Sequence, residues 1–287
     1  MAEQHKVKQE DKLLNFLFTT LHNWSKKKVK ERLKSATVAV NGKVTTKHDF
    51  PLHIGDLVEI GIINKRQNTS ELKTLEIIYQ DEQLIAINKP AGLLSVGTKQ
   101  ENKQHALAIL RQQLTKGRKS PDLIPVHRLD RETSGILLFA TSRELREMTM
   151  GKWSDAEKIY LAIVHGTPRE KKGSIEQPLH LDETQYKVHV GEHPKAKYAL
   201  THYQVKESKN ARSLLEVHIE TGRQHQIRAH MSWLNHAVVG DERYGSDYKK
   251  GDRMGLHATK LTIFHPTKKT NITFEADAPK EFYALLG

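Results

Sequence analysis

The chain contains no cysteine. That removes disulfides, thiolate metal ligands and cysteine nucleophiles together, and it fits a reducing, cytoplasmic setting. No apolar run approaches the ~20 residues of a membrane-spanning helix. The polar stretch from Met1 to Glu10 lacks a signal-peptide core, so no membrane partner is expected. Neither GxGxxG nor a phosphate-binding loop occurs, which argues against a nucleotide cofactor. Without a GxSxG elbow, a Ser-His-Asp hydrolase has no nucleophile. There is no HExxH, and His225 and His230, five apart, fall on different faces of a helix or strand. No metal site and no cofactor are therefore expected.

Acidic residues are the scarcer charge: 34 Asp and Glu stand against 46 Lys and Arg among 287 residues, a net charge of +12. An excess of this size is the electrostatic footprint of a polyanion partner. It is spread along the chain, +4 through residue 60 and +8 beyond, so an anionic ligand can engage both parts.

Residues 1–10 read as a flexible tail. Leu13, Leu14, Leu17, Phe18 and Leu21 then follow helical spacing. Ser25 reads as the N-cap of a second helix from Lys26 to Lys34, with Val29 and Leu33 on its core face and Lys26, Lys30 and Lys34 beside them. Lys26, Lys27 and Lys28 place positive charge in the first turn, the unfavourable sign for a helix N-terminus at ~0.3–1 kcal/mol each. Either this is a solvated face that tolerates the cost, or the helix end is presented to phosphate. Asn41-Gly42 joins two short alternating runs as a hairpin, and Gly55 to Ile60 reads as a turn and closing strand. Residues 11–62 thus form a small α/β-hairpin domain, 63–72 a polar linker, and 73–287 a larger one. In the latter, strands and short helices mix without regular βαβ spacing, which indicates an α+β domain around a mostly antiparallel sheet. Its expected strands include Leu75–Tyr79, Leu84–Asn88 and Lys158–Val164, and its helices His105–Leu114 and Ser142–Met150.

The densest chemistry lies in His127-Arg128-Leu129-Asp130-Arg131, followed by Glu132-Thr133-Ser134-Gly135 and the apolar run Ile136 to Ala140. One carboxylate is fixed at the mouth of a buried strand between two arginines, which favour its ionised form. An ionised, oriented carboxylate acts as a nucleophile or stabilises developing positive charge. Asn88-Lys89-Pro90-Ala91-Gly92 ends a strand in a turn. Lys158 to Ala162 carries Tyr160. Thr221-Gly222-Arg223-Gln224-His225-Gln226-Ile227-Arg228 is rich in donors, and Leu256-His257-Ala258 precedes a final strand. Taken singly, Tyr160 is an ordinary strand tyrosine, Arg228 an ordinary ion-pairing arginine and Ser134 a turn residue.

Two resemblances gather these segments. Residues 11–60 resemble the alpha-L, S-four-type RNA-binding motif in the start at Ser25, the basic second helix, Val40-Asn41-Gly42-Lys43 and Gly55-Asp56. Lys26 stands where that family commonly has arginine, which keeps the charge but loses the bidentate fork. Residues 73–287 resemble the RluA-like pseudouridine synthases. All five segments occur in the family's order, and Gly240-Asp241-Glu242-Arg243-Tyr244-Gly245 extends the arginine segment. Gln224, Ala237 and Met254 depart from the usual Thr, Pro and Leu.

The resemblance implies that Asp130 is the catalytic carboxylate, paired with Arg228, and that Tyr160 packs on the base or helps remove the carbon-5 proton. Leu256 forms an apolar wall, and His127 and Arg128 orient the loop or the flipped nucleotide. The charge pattern of the second helix and the S-four-type resemblance imply that Lys26, Lys27, Lys28, Lys30 and Lys34 meet RNA. The expected substrate is a uridine in structured RNA, with large-subunit ribosomal RNA favoured over transfer RNA and the protein acting as a monomer. Two rivals remain: a catalytically silent RNA-binding or ribosome-assembly factor, and a glycosidic-bond hydrolase. The hydrolase needs a second carboxylate ~5–10 Å from the first, and Glu132 is too near in sequence to be an obvious candidate.

Overall fold

A computed structural model describes residues 3–34, 37–61, 74–98, 101, 104–115, 122–245, 249 and 251–287. The chain divides into two compact units, Met1–Leu72 and Lys73–Gly287. The segment expected as a linker lies outside the described residues.

The small unit runs β1 (Glu3–Lys6), β2 (Asp11–Lys12), α1 (Leu13–Thr20), α2 (Lys26–Lys34), β3 (Val38–Val40), β4 (Lys43–Val44), β5 (Pro51–Leu52) and β6 (Leu57–Ile60). Ser25 caps α2 by accepting the Lys28 N–H at 3.3 Å. Leu13 and Leu17 of α1 and Val29 and Leu33 of α2, each pair four apart, close on Val38, Val58 and Ile60 of the sheet. Asn41 and Gly42 both take positive φ, 49° and 76°, the geometry that a two-residue turn needs to match strand twist. Asn41 also ties the hairpin to the next turn, accepting the Leu57 N–H at 2.9 Å and donating to Asp56 at 2.8 Å. The expected flexible tail is corrected: Glu3–Lys6 pairs antiparallel with β6 from Glu3↔Ile60 to Lys6↔Leu57. The polar decapeptide conceals one apolar anchor, Val7, which is only 1% exposed. An edge strand solvated on one face reads like a tail by composition.

The large unit continues with β7 (Glu76–Gln80), β8 (Leu84–Lys89), α3 (Ala106–Thr115), β9 (Ile124–Pro125), β10 (Ser134–Ala140) and α4 (Arg143–Met150). There follow β11 (Glu157–His165), β12 (Lys172–Glu176), the hairpin β13 (Leu179–Asp182) and β14 (Lys187–Val190), β15 (Leu200–Lys209) and β16 (Arg212–Ile219). α5 (Gln226–Trp233), β17 (Leu256–Phe264), β18 (Asn271–Glu275) and α6 (Lys280–Tyr283) complete it. The main sheet has the order β12-β15-β16-β11-β17-β10-β8-β7, with β18 on β17 and β9 on β10. Its pairs are antiparallel except one short parallel contact, Ser134↔His257 and Gly135↔Ala258. The α+β architecture with a mostly antiparallel sheet is as the sequence indicates.

All seven residues of β10 are buried, so its apolar run is continuous rather than alternating. α3 packs Leu107, Ile109 and Leu110 on Ile85, Ile87, Leu137 and Phe139. α5 packs Ile227 and Met231 on Ala162, Val164, Leu215 and Val217. Tyr160 touches both of these cores. Beside it, the parallel contact is closed by Gly135 at φ +108°, where a Cβ would stand 2.2 Å from the Ala258 carbonyl oxygen. Only glycine lets β10 enter the sheet there, and this entry point sets the place of the loop before it.

Candidate active site

The loop before β10, the middle of β11, the start of β17 and the start of α5 converge on a cavity of about 680 Å³, lined among others by Asp130, Tyr160, His225, Arg228 and Leu256. Asp130 is the one carboxylate among its described lining residues.

Arg228 reaches Asp130 from α5. Its Nη1 donates to Asp130 Oδ2 at 2.7 Å. Its Nε and Nη2 donate to the two oxygens of Asp241 at 2.7 and 2.9 Å. Asp241 is 1% exposed and also accepts the Arg243 and Tyr244 N–H groups. Burial pushes the Asp241 carboxyl up, but the Arg228 bonds outweigh it and hold the group below the usual carboxylate range. Burial likewise works against the Arg228 cation, and the two carboxylates keep it charged. A bidentate pair of this kind fixes a guanidinium in its plane, so the remaining N–H is aimed at Asp130.

His225 supplies the second arm. It sits just before α5 at φ +52°, and its Nε2 lies 3.7 Å from Asp130 Oδ2. The Val188 N–H donates to Tyr244 Oη at 2.8 Å, and Tyr244 Oη is 3.0 Å from His225 Nδ1. With the phenol donating to Nδ1, the imidazole proton sits on Nε2, facing Asp130. Burial favours the neutral ring, against the charge of Asp130. Arg228 bonds Oδ2 and His225 lies beside it, while Oδ1 accepts no hydrogen bond from any described residue.

The loop itself is held from beneath. The Lys89 ammonium, fully buried, donates to the carbonyls of Pro90, Leu93 and Arg131 at 3.0, 2.7 and 3.1 Å. Burial pushes this amine down to about 7, opposed by Glu132 and Asp130. Ser95 accepts the Leu129 N–H and donates to its carbonyl. His127 Nε2 accepts the Leu138 N–H at 3.2 Å, and burial holds this histidine down to about 4, so the ring is neutral and braces the strand. Tyr160 is raised above the ordinary phenol range by burial and by the charge of Asp130.

One expectation needs revision. The cation on Asp130 is not a flanking arginine: Arg131 is engaged by Glu101 at 2.8 Å, and Arg128 is exposed. The charge comes from Arg228, 98 residues away, the partner that the resemblance implied. Sequence reasoning gave no role to Asp241, Tyr244, His225 or Lys89. Lys89 had a signal, a cation closing an apolar strand; Asp241 is paired only through the fold. The five lysines expected to meet RNA are all exposed on α2 of the small unit. There Lys28 lies over the Trp24 ring at 4.1 Å and Lys26 over Phe18 at 5.8 Å.

Residues 83–233 match the family model described as RNA pseudouridylate synthase. The chain is 30% identical to the ribosomal large subunit pseudouridine synthase D of Yersinia pestis over 307 aligned positions, covering 100% of this chain and 92% of that protein. It is also 30% identical to an uncharacterized RNA pseudouridine synthase of Mycoplasma genitalium, over 96% of this chain and 92% of the relative. Among solved structures, the human RNA pseudouridylate synthase domain containing 1 superposes with a TM-score of 0.60 at 25% identity, covering 75% of this chain and 87% of that one.

Proposed function

The chain belongs to the RNA pseudouridylate synthase family and is an RNA pseudouridine synthase, an isomerase; on that premise we propose that it converts a uridine of large-subunit ribosomal RNA, with Asp130 as the catalytic carboxylate. The observation that carries the residue assignment is the Asp241–Arg228–Asp130 chain, which holds one carboxylate at a cavity with its Oδ1 unengaged. The ribosomal target rests on the named relative from Yersinia pestis.

The reaction breaks the bond between uracil N1 and the sugar, turns the base and rejoins it through carbon 5, with loss of the carbon-5 proton. A uridine in folded RNA must first leave its stack. The sugar carbon then presents to Asp130 Oδ1, where the carboxylate attacks it or stabilises its positive charge. Arg228 holds Oδ2 and keeps the group aimed, with His225 Nε2 3.7 Å from the same oxygen. Tyr160, kept as a neutral phenol by its surroundings, serves as the aromatic wall against which the base turns rather than as the proton acceptor. Leu256 closes the apolar side and Arg128, exposed at the mouth, meets the flipped strand.

The small unit is read as the S-four-type RNA-binding domain, with Lys26, Lys27, Lys28, Lys30 and Lys34 toward phosphate. Its helix pair, type I′ hairpin and exposed cations support that reading. The protein acts as a monomer in the cytoplasm, where its RNA is assembled. No helix of the described residues is long and apolar enough to cross a membrane. A hydrolase that uses paired carboxylates is disfavoured, because the nearest second acid on this chain of contacts, Asp241, is locked by two bonds to Arg228.

The test is incubation of purified full-length protein with large-subunit ribosomal RNA transcript and with bulk transfer RNA, each digested and assayed for pseudouridine. Product in the ribosomal transcript is expected. Product in transfer RNA alone overturns the target, and no product in either overturns the activity.

A further inference from the structure

The cavity extends past the reacting end. Lys158 and Tyr160, two apart on β11, both line it, and so do Trp153, Arg146 and His127. Two residues along a strand advance ~6.6 Å, so Lys158 stands about one nucleotide-sized step from Tyr160, and both line the cavity. This end is framed by an aromatic pair, the His127 and Trp153 rings at 5.2 Å between centroids, and by Arg146, whose Nε donates to the Pro125 carbonyl at 3.1 Å.

Lys158 is the unexplained member. It is 6% exposed, yet its ammonium makes one long contact, to the Trp153 carbonyl at 3.4 Å, and lies 5.9 Å from the Trp153 ring centre. Among the described residues no carboxylate is within ion-pair distance. Glu220, whose charge favours the ammonium, is taken by His202 at 2.9 Å. Burial disfavours the Lys158 cation. Compare Lys89, equally buried, with three carbonyls around its ammonium. A buried ammonium with two free donors facing a cavity is costly in the empty protein. A ligand oxygen compensates it. The chemistry on offer, a cation beside an aromatic face, is that of a nucleotide: phosphate on the ammonium, base on the indole.

We propose that the Lys158–Trp153 end of the cavity is a subsite for the nucleotide next to the flipped uridine, with Lys158 donating to a non-bridging oxygen of its phosphate and Trp153 stacking on its base. This rests on the reading of the protein as an RNA pseudouridine synthase. It makes Lys158 a substrate-strand clamp, and it gives the cavity a means of selecting the neighbouring base as well as the uridine.

The experiment uses full-length protein, wild type and Lys158→Met, a replacement of similar length that fills the same space without charge. Three quantities are measured: the melting temperature without RNA, the affinity for a large-subunit ribosomal RNA transcript across a potassium chloride series, and kcat and KM for pseudouridine formation. The melting temperature of Lys158→Met is expected to equal or exceed that of wild type, since a desolvated charge is removed. Affinity should fall about tenfold, the salt slope should become shallower by about one unit, and KM should rise by more than kcat falls. A lower melting temperature with unchanged affinity makes Lys158 a prop for the Trp153 carbonyl and overturns the subsite. Weaker binding at an unchanged slope overturns the phosphate contact, and collapse of kcat at constant KM puts Lys158 at the reacting centre instead. If wild type makes no pseudouridine, the reading beneath the proposal fails on its own, while the melting and salt data still decide whether Lys158 meets phosphate.

Discussion

The two units use positive charge in opposite ways. On α2 of the small unit, Lys26, Lys27, Lys28, Lys30 and Lys34 are exposed, and none is ion-paired with a described residue. In the large unit Lys89, Lys158 and Arg228 are buried, at 0%, 6% and 8% exposure. A cation in water is screened within ~8–10 Å; its neighbours can stand in for it, and its effect is a sum over many. A buried cation has been stripped of water and has a direction. Its partners are fixed and nothing replaces it. On the proposed function, the first arrangement supplies affinity that salt erodes and the second supplies geometry.

The comparison predicts a graded set of losses. The largest should follow Asp241→Asn, which leaves Arg228 half-paired in the interior. Uncompensated buried charge costs about 3–5 kcal/mol, and a shift of Arg228 by ~1 Å costs turnover about a hundredfold. Calorimetry and single-turnover assays of the purified variant read the two; wild-type rates in Asp241→Asn would break the claim that buried cations act through direction.

Lys89→Met comes next. Three carbonyls lose their donor, at roughly 1–3 kcal/mol for each buried group left unsatisfied. The Asp130 loop should loosen, with hydrogen exchange accelerating in residues 127–133 and turnover falling, while the salt slope of RNA binding stays that of wild type.

A smaller effect concerns pH. Folded His127 is held down to about 4 by burial, whereas an unfolded histidine titrates near ~6.5. Between those values the unfolded chain binds a proton that the folded one refuses, so stability falls as pH drops through the window. His127→Gln should flatten that dependence, seen as a smaller difference in melting temperature between pH 7 and pH 5. Smallest of all, Lys27→Ala should weaken RNA binding a few-fold and reduce the salt slope by about one unit, with kcat unaltered.

How far each region could be read from sequence follows the same division. Local signals were legible: Ser25 before α2, Asn41-Gly42 in the hairpin, and the apolar run after Asp130. The Asp130 loop and its strand are contiguous, so pattern and resemblance reached them. No periodicity encodes the Asp241–Arg228–Asp130 chain, which joins three segments far apart in sequence: the resemblance reached the Arg228–Asp130 pair, and Asp241 joins it only through the fold. Tyr244 and His225 meet for the same reason. β1 was missed because one buried valine carries it. The β13–β14 hairpin was missed because His180, Asp182, Lys187 and His189 dilute its alternation. It packs on α5, whose Ala229 meets Leu179 and Val188.

The most direct test of the division between geometry and affinity is a paired measurement on two full-length variants, Asp130→Asn and the simultaneous change of Lys26, Lys27, Lys28, Lys30 and Lys34 to alanine. Each is assayed for binding to large-subunit ribosomal RNA transcript across a salt series and for pseudouridine at saturating RNA. Asp130→Asn should bind with the wild-type slope and make no product. The lysine variant should bind weakly, with a slope shallower by several units, and still make product when RNA saturates it. Product from Asp130→Asn, or a lysine variant that binds normally, would contradict the account.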